Sequence, residues 1–364
     1  MAKYLFRADA SIDIGSGHIM RCVTLANELR RSGHDIYFIC RDLPGHLGMF
    51  LEKNNITYSL LNAFANPEKN IQEPTYAHSN WLTVGQTVDF SQSKAVIEHY
   101  RPDWIVIDHY ALSDVWQKQA VIYGAKICVI DDLADRPHYA HLLIDQNVGR
   151  IANDYRGLVP EHCQLLIGPQ YALLRPEFIY WREFSLKRRD KINRIKNILV
   201  NLGGVDKDNI TEDVLSALAN IDSLNKSVSI TVVMGKTAPH LHQVIERSAH
   251  MPYKTQVLCG VDNMAELMTN ADLAIGAAGS TSWERCCLAL PTIIIVLADN
   301  QKDVAKNLVD LGVVAAIEKD KICIDKYLVK LSSESLSYMS KKSRDLVDGL
   351  GVERVISHFD RLLA

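Results

Sequence analysis

The 364-residue chain contains no CxxC pair, which removes the commonest zinc and redox frameworks. Its eight cysteines lie mostly in apolar runs, as Cys40 in FIC, Cys128 in KICVI and Cys259 in QVLCG. The only close pair, Cys286 and Cys287, is adjacent, so buried reduced thiols are expected. Aromatics are sparse at 7%, and 40 Lys and Arg against 43 Asp and Glu leave a formal charge of -3. A nucleic-acid binder usually carries a basic field, so no nucleic-acid partner is expected. No run reaches the roughly 20 apolar residues that span a bilayer, and stable membrane insertion is not expected. The opening MAKYLFRADA lacks the apolar core of a signal peptide, which points to the cytoplasm. Neither a Walker-type phosphate loop nor a GxGxxG dinucleotide turn occurs.

What is present has one rhythm, repeated. Short apolar runs at 4–8, 35–40, 56–61, 104–108, 126–131 and 141–145 alternate with helical patterns in the first half. Runs at 197–204, 229–235, 255–260, 273–279, 292–298 and 313–318 do the same in the second. Between the first two runs Ile19, Cys22, Leu25, Ala26 and Leu29 recur at helical spacing, and Gly33 marks the helix end. Such runs between helices indicate parallel strands buried on both faces. The length calls for more than one core. We therefore expect an α/β protein of two Rossmann-like, doubly wound domains facing across a cleft. The first would span 1–148 and the second 196–345, joined by a linker region at 149–195. A C-terminal helix at 346–364 would pack back on the first domain. The cationic run LKRRDKINRIK (186–196) reads as a solvated linker, and 62–90 as a polar loop or insert.

In doubly wound sheets, ligands bind outside the carboxyl ends of the strands. Every chemically interesting group here follows an expected strand. In NLGG, Gly203 and Gly204 stand between a strand and a helix, and GAAGSTSWE places Gly276 and Gly279 before Ser280 and Thr281. Glycines let a ligand oxygen approach, and a helix N-terminus favours a phosphate. Glu284 lies one helical turn after Ser280, where a carboxylate can accept from ribose hydroxyls. In the first half, Gly15, Ser16 and Gly17 precede His18, which is either a base facing a ligand or a residue of a tight turn. Asp108, His109 and Tyr110 close one strand, and Asp131 and Asp132 another. Paired acids can hold a divalent cation. Asp135 and Arg136 are available as local partners, however, so structural carboxylates and no metal site are expected.

Together RADAS, IGSGHIMRCVTLA, FICRDLPG, VIDHY, VIDDLADR, NLGGVD and GAAGSTSWERCCLALPTI resemble one family. It is the UDP-2,4-diacetamido-2,4,6-trideoxy-β-L-altropyranose hydrolases of pseudaminic acid biosynthesis (PseG family). The resemblance runs in order from about residue 3 to 315, and is weak at 62–95. That family is similar in fold to two-Rossmann (GT-B-type) glycosyltransferases such as the N-acetylglucosaminyltransferase of peptidoglycan synthesis. The resemblance implies metal-independent, inverting hydrolysis of a small-molecule UDP-sugar, with no cofactor and a role in bacterial surface glycans such as those of flagellin. It makes His18 the catalytic base and Asp13, Gly15, Gly17, Tyr110 and Asn300 substrate-binding. Gly203, Gly204, Gly279, Ser280, Thr281 and Glu284 would bind the nucleotide. Arg7, Asp9 and Asp13 would face the sugar or brace the loop. The chemistry is coherent, because an imidazole can deprotonate water near neutral pH while helix-end N–H groups stabilise departing UDP. A glycosyltransferase using a separate acceptor is the alternative, and an inactive sugar-nucleotide-binding module a further one.

Overall fold

Successive residues of the first strand enter different cores. In β1 (Lys3–Ala8), Tyr4, Phe6 and Ala8 join one buried cluster, while Leu5 joins another on the opposite face. This two-sided burial is what a central parallel strand requires. The structure is a computed structural model and describes residues 1–63, 73–192, 194–221, 224–236 and 238–363. The chain divides into two units, Met1–Leu173 with Gly351–Ala364, and Leu174–Leu350.

The first unit is built on a seven-stranded parallel sheet, ordered β3-β2-β1-β4-β5-β6-β7. Its strands after β1 are β2 (Asp35–Arg41), β3 (Thr57–Leu61), β4 (Trp104–Asp108), β5 (Lys126–Ile130), β6 (Leu142–Asp145) and β7 (Gln164–Ile167). Its helices are α1 (Gly17–Arg31), α2 (Gly48–Lys53), α3 (Gln86–Tyr100) and α4 (Asp114–Val121). Ile19, Cys22, Leu25 and Leu29 of α1 cover one face of the sheet, whereas Phe90, Ile97 and Trp116 of α3 and α4 cover the other. Gly33, at φ +87°, takes the left-handed turn that releases the chain from α1.

The second unit repeats the design with six parallel strands, ordered β10-β9-β8-β11-β12-β13. They are β8 (Asn197–Asn201), β9 (Ser229–Met234), β10 (Lys254–Cys259), β11 (Leu273–Ala277), β12 (Thr292–Val296) and β13 (Val314–Glu318). The helices run α5 (Pro176–Arg189), α6 (Ile210–Ala219), α7 (Leu241–Ala249), α8 (Met264–Asn270) and α9 (Thr281–Cys287). They continue with α10 (Lys302–Asp310), α11 (Ile324–Leu328) and α12 (Ser333–Leu346). The last helix, α13 (Gly351–Leu363), returns to the first unit, where Val352, Val355 and Phe359 enter the cluster under α1. The Phe359 ring meets Trp104 edge-on at 4.8 Å.

Residues 149–195 do not form a linker. Their run QLLI is β7, the seventh strand of the first sheet, because it pairs with β6 from Leu142↔Gln164 to Asp145↔Ile167. The rest supplies α5, which belongs to the second unit. The first four residues of the cationic run, 186–189, are accordingly helix rather than solvated linker: Arg188 pairs with Asp272 at 2.5 Å, and buried Arg189 donates to Met268 O at 2.7 Å. Within 62–90, residues 64–72 lie outside the described part. Residues 86–90 open α3, whose N-terminus is capped by the Glu73 carboxylate through the N–H groups of Gln86 and Thr87 at 2.5 and 2.8 Å. Of the eight cysteines, all unbridged, Cys22, Cys40, Cys128, Cys286 and Cys287 are buried, while Cys259 is half-buried.

Candidate functional site

The carboxyl ends of four central strands in the first sheet each deliver an aspartate: Asp9 after β1, Asp108 in β4, Asp131 and Asp132 after β5, and Asp145 in β6. Parallel pairing in register places Ala8 opposite Asp108 and so gathers these groups at one sheet edge. His18 enters from the first turn of α1. The preceding Ser11–Gly15 turn is closed by Gly15 N–H to Ser11 O at 2.8 Å, and Ser11 Oγ accepts from Asp13 and Ile14 N–H. Gly15 stands at φ +79°, a conformation that favours glycine. Asp13 on this turn and Gly17 at the start of α1 are exposed.

His18 is only 8% exposed, and its Nδ1 lies 2.6 Å from Asp108 Oδ1. A carboxylate there retains the proton on Nδ1 and leaves Nε2 as the basic atom. Asp108 is held in turn by Arg21, one turn along α1, whose Nε and Nη2 reach its two oxygens at 2.6 and 2.7 Å. Burial alone would raise the Asp108 carboxyl, but Arg21 and His18 outweigh it and keep it well below the usual carboxylate range. Arg21 Nη1 extends 2.7 Å to Asp132, which also accepts the Tyr110 hydroxyl at 2.5 Å. Histidine, arginine, tyrosine and two aspartates thus form one continuous network.

Tyr110 does more than donate. Its ring meets His18 edge-on at 4.6 Å and lies against Trp81 at 5.5 Å with an interplanar angle of 22°. His78 completes the wall, 4.3 Å from Trp81 and 5.4 Å from Tyr110. Burial raises the Tyr110 hydroxyl, with Asp132 adding to it, so the phenol remains a donor.

Arg7 and Asp9 are fully buried and do not reach the exposed turn. Arg7 bonds Asp9 at 2.7 and 2.9 Å and Asp89 at 2.6 and 3.1 Å, while Asp9 also accepts from Arg41 N–H at 2.6 Å. Arg41 donates to Asp89 as well, and Trp116 Nε1 to the same carboxylate at 2.9 Å. These groups tie β1, β2 and α3 together beneath the loop. Asp131 is similarly committed, to Arg136 at 3.0 Å and to Ala134 N–H at 2.8 Å. Among the described residues no group of three or more His, Cys, Asp or Glu is placed to hold a metal ion.

In the second unit glycines follow β8 and β11, the counterparts of β1 and β4. Gly203 (φ +99°) and Gly204 follow β8, and a Cβ on Gly203 would meet nothing within 4 Å. The N-terminus of α6 behind them is already filled, since Asp206 accepts from Ile210 and Thr211 N–H at 3.0 and 2.9 Å. Two of that helix end's N–H groups are therefore already engaged, which leaves the glycine turn itself as the open feature. Gly279 is open on its Cβ side, and Ser280 is exposed at the start of α9. Ser282 N–H is spent on Gly279 O at 2.9 Å. Beneath this turn lies buried Arg285, which donates to Ala277 O at 2.6 Å, Ser282 Oγ at 3.0 Å and Thr281 Oγ1 at 3.1 Å. Burial lowers its guanidinium to about 10. Glu284 is 17% exposed and 3.7 Å from Arg175, and burial raises its carboxyl. Asn300 is exposed after β12 and belongs to the second unit, whereas Asp13, Gly15, Gly17 and Tyr110 belong to the first.

The structure therefore gathers His18 and Tyr110, with Asp13, Gly15 and Gly17 on the adjoining turn, and gathers Gly279, Ser280, Thr281 and Glu284 in a second group. Sequence reasoning missed Arg21 and Trp81, left His78 unremarked, and read Asp108 as merely structural. The i, i+3 spacing of His18 and Arg21 was the one available signal.

Comparison with known proteins places these features in context. Residues 197–353 match the glycosyltransferase family 28 C-terminal domain. The chain is 27% identical over 311 residues to the UDP-2,4-diacetamido-2,4,6-trideoxy-β-L-altropyranose hydrolase of Campylobacter jejuni, covering 85% of this chain and 97% of that protein. It is 29% identical over 238 residues to the spore coat polysaccharide biosynthesis protein SpsG of Bacillus subtilis, covering 64% of this chain and 68% of that one. An uncharacterised protein of Methanocaldococcus jannaschii is 26% identical over 97% of this chain, which spans only 65% of that protein's length. In fold, the chain is similar to MurG of Acinetobacter baumannii, with a TM-score of 0.71, 15% identity and coverage of 99% and 100%. The Staphylococcus aureus MnaA structure gives a TM-score of 0.65 at 12% identity, covering 100% of this chain and 97% of that one. The fold is that of two-domain GT-B glycosyltransferases.

Proposed function

We propose that the protein is a UDP-sugar-processing enzyme, and specifically a hydrolase that releases UDP from UDP-2,4-diacetamido-2,4,6-trideoxy-β-L-altropyranose with inversion and without a metal. The observation that carries this reading is the His18–Asp108 contact at 2.6 Å, embedded in the Arg21–Asp132–Tyr110 network. The likeness to the Campylobacter hydrolase supports the substrate. In this reading His18 Nε2 takes a proton from water as the oxygen attacks the anomeric carbon. Asp108 holds the ring and stabilises the imidazolium as it forms. The C1–O bond to UDP breaks on the opposite side, so the anomeric configuration inverts. The first unit supplies the base, with Asp13, Gly15, Gly17 and Tyr110 toward the sugar. The second supplies the nucleotide anchors, Gly203, Gly204, Gly279, Ser280, Thr281 and Glu284, with Asn300 toward the sugar.

The Arg285 guanidinium supports an anion at the Gly279 turn. Its hydrogen bonds all go to neutral oxygens, with the neighbouring Glu284 carboxylate acting on it only through its charge, and a diphosphate set against the turn would add an anionic partner.

A second reading, transfer of the sugar to an acceptor, is favoured by one observation: the matched C-terminal domain is that of a glycosyltransferase family. Purified protein mixed with the UDP-sugar alone separates the two. Release of UDP with the free sugar as initial inverted anomer supports hydrolysis, whereas turnover only after an acceptor is added supports transfer. Activity that vanishes with EDTA and returns with Mg²⁺ would overturn the metal-free mechanism.

A further inference from the structure

Trp81 and His78 belong to no motif that pointed to function, and the His18–Asp108 dyad does not need them. They are nevertheless mounted firmly. Leu82 is buried at 1% exposure beneath the short turn Ser79–Leu82, Ser79 Oγ accepts Tyr76 N–H at 2.8 Å, and Thr83 Oγ1 donates to Ala63 O at 2.8 Å. The Glu73 cap fixes the same stretch to α3. The scaffold buries Leu82 yet leaves Trp81 and His78 half-exposed. An indole has one of the largest apolar areas available for burial, and leaving it partly in water beside an active histidine forgoes that stabilisation. Its ring lies 6.1 Å from His18 and stacks on Tyr110, so the aromatic surface adjoins the reacting position.

We infer that Trp81, flanked by His78, forms an aromatic sugar subsite that takes the apolar face of a hexose whose substituents are methyl or N-acyl groups rather than hydroxyls. This rests on the UDP-sugar reading above. An indole face attracts C–H and amide N–H groups through its negative quadrupole. A hydroxyl pressed onto the same face loses water without gaining a partner, which disfavours fully hydroxylated sugars. The subsite therefore sorts sugars, while the nucleotide is held elsewhere.

The test uses the full chain with His18→Asn, so that ligands persist, and calorimetric titration of three probes: UDP, UDP-glucose and UDP-2,4-diacetamido-2,4,6-trideoxy-β-L-altropyranose. The parent should bind the diacetamido compound more tightly than UDP-glucose. Adding Trp81→Ala should shrink that preference by roughly 5- to 30-fold, the effect expected of one buried apolar face, and leave UDP affinity unchanged. Trp81→Phe should restore most of the preference, and circular dichroism would confirm that each variant is folded. An unchanged preference in Trp81→Ala, or an equal loss of affinity for UDP, overturns the subsite and leaves the functional reading intact. Failure of the parent to bind any of the three overturns the functional reading and the subsite with it.

Discussion

The two units share one strand order and differ in what stands at the strand ends. The first sheet runs β3-β2-β1-β4-β5-β6 before its extra β7, and the second runs β10-β9-β8-β11-β12-β13. At the carboxyl ends the first unit carries Asp9, Asp108, Asp131, Asp132 and Asp145, each engaged by arginine, histidine or tyrosine. The second carries Gly203 and Gly204 after β8 and Gly279 after β11, the counterparts of β1 and β4. Carboxylates around a histidine suit proton transfer, and bare backbone suits close approach of an anionic ligand. One backbone plan thus presents two different sets of groups at its strand ends, and the proposed division of labour rests on that difference.

The largest effect should come from splitting the two roles. His18→Asn should lower kcat by about 10²- to 10⁴-fold, the usual worth of a general base, with UDP affinity retained. Glu284→Ala should do the reverse, weakening UDP binding measured by calorimetry. If both variants lose the same property, the division between units is wrong.

Next in size is the charge network. Asp108→Ala would leave Arg21 buried beside a missing partner, which costs about 3–5 kcal/mol in comparable cases. Denaturant unfolding should show that loss in the first unit only. Asp108→Asn keeps the volume, so it should cost more activity than stability by presenting the wrong histidine tautomer.

In the second unit the sharpest contrast is between two glycines. A Cβ on Gly276 would fall 2.4 Å from Arg285 Nη1 and 2.9 Å from Asn201 O, whereas one on Gly279 meets nothing within 4 Å. Gly276→Ala should therefore destabilise by about 1–3 kcal/mol through overpacking. Gly279→Ala should leave the thermal midpoint nearly unchanged while weakening UDP binding. A destabilised Gly279→Ala would show that the turn is structural.

The smallest effect is the pH profile of the first unit. Burial lowers His138 to about 4, so the stability tied to its neutral form is complete above about 6.5 and lost as pH falls toward 4. Burial, reinforced by Asp132, raises Asp145 to about 7, so its contribution is present at low pH and lost as pH rises from about 4 to 7. These two oppose each other between pH 4 and 6.5. Asp131 is different: burial would raise it, but Arg136 outweighs that and holds it near about 2, so its contribution is lost as pH falls from about 4. Unfolding free energy should accordingly vary little from pH 4 to 6.5 and fall below 4. Asp145→Asn should expose the His138 slope, with stability rising across that window.

The sequence by itself determined the architecture, because apolar runs between helical patterns leave few alternatives to parallel strands buried on both faces. It also marked His18 and Tyr110, which stand immediately beside identifiable strand and helix ends. It could not show β7 or α5: QLLI is only four residues long, and the charges of α5 obscured its helical pattern. Nor could it separate Arg7 and Asp9 from Asp13. All three sit in one short stretch, yet β1 carries the first two into the interior against Asp89, 82 residues beyond Arg7, while the turn leaves the third in water. The partnership of His18 with Asp108 across 90 residues, and of Tyr110 with Trp81, was decided only by the tertiary structure. Local propensity records which residues form a strand or a helix. Which side chains meet at a sheet edge depends on strand order and register, and those are set by the packing of the whole unit.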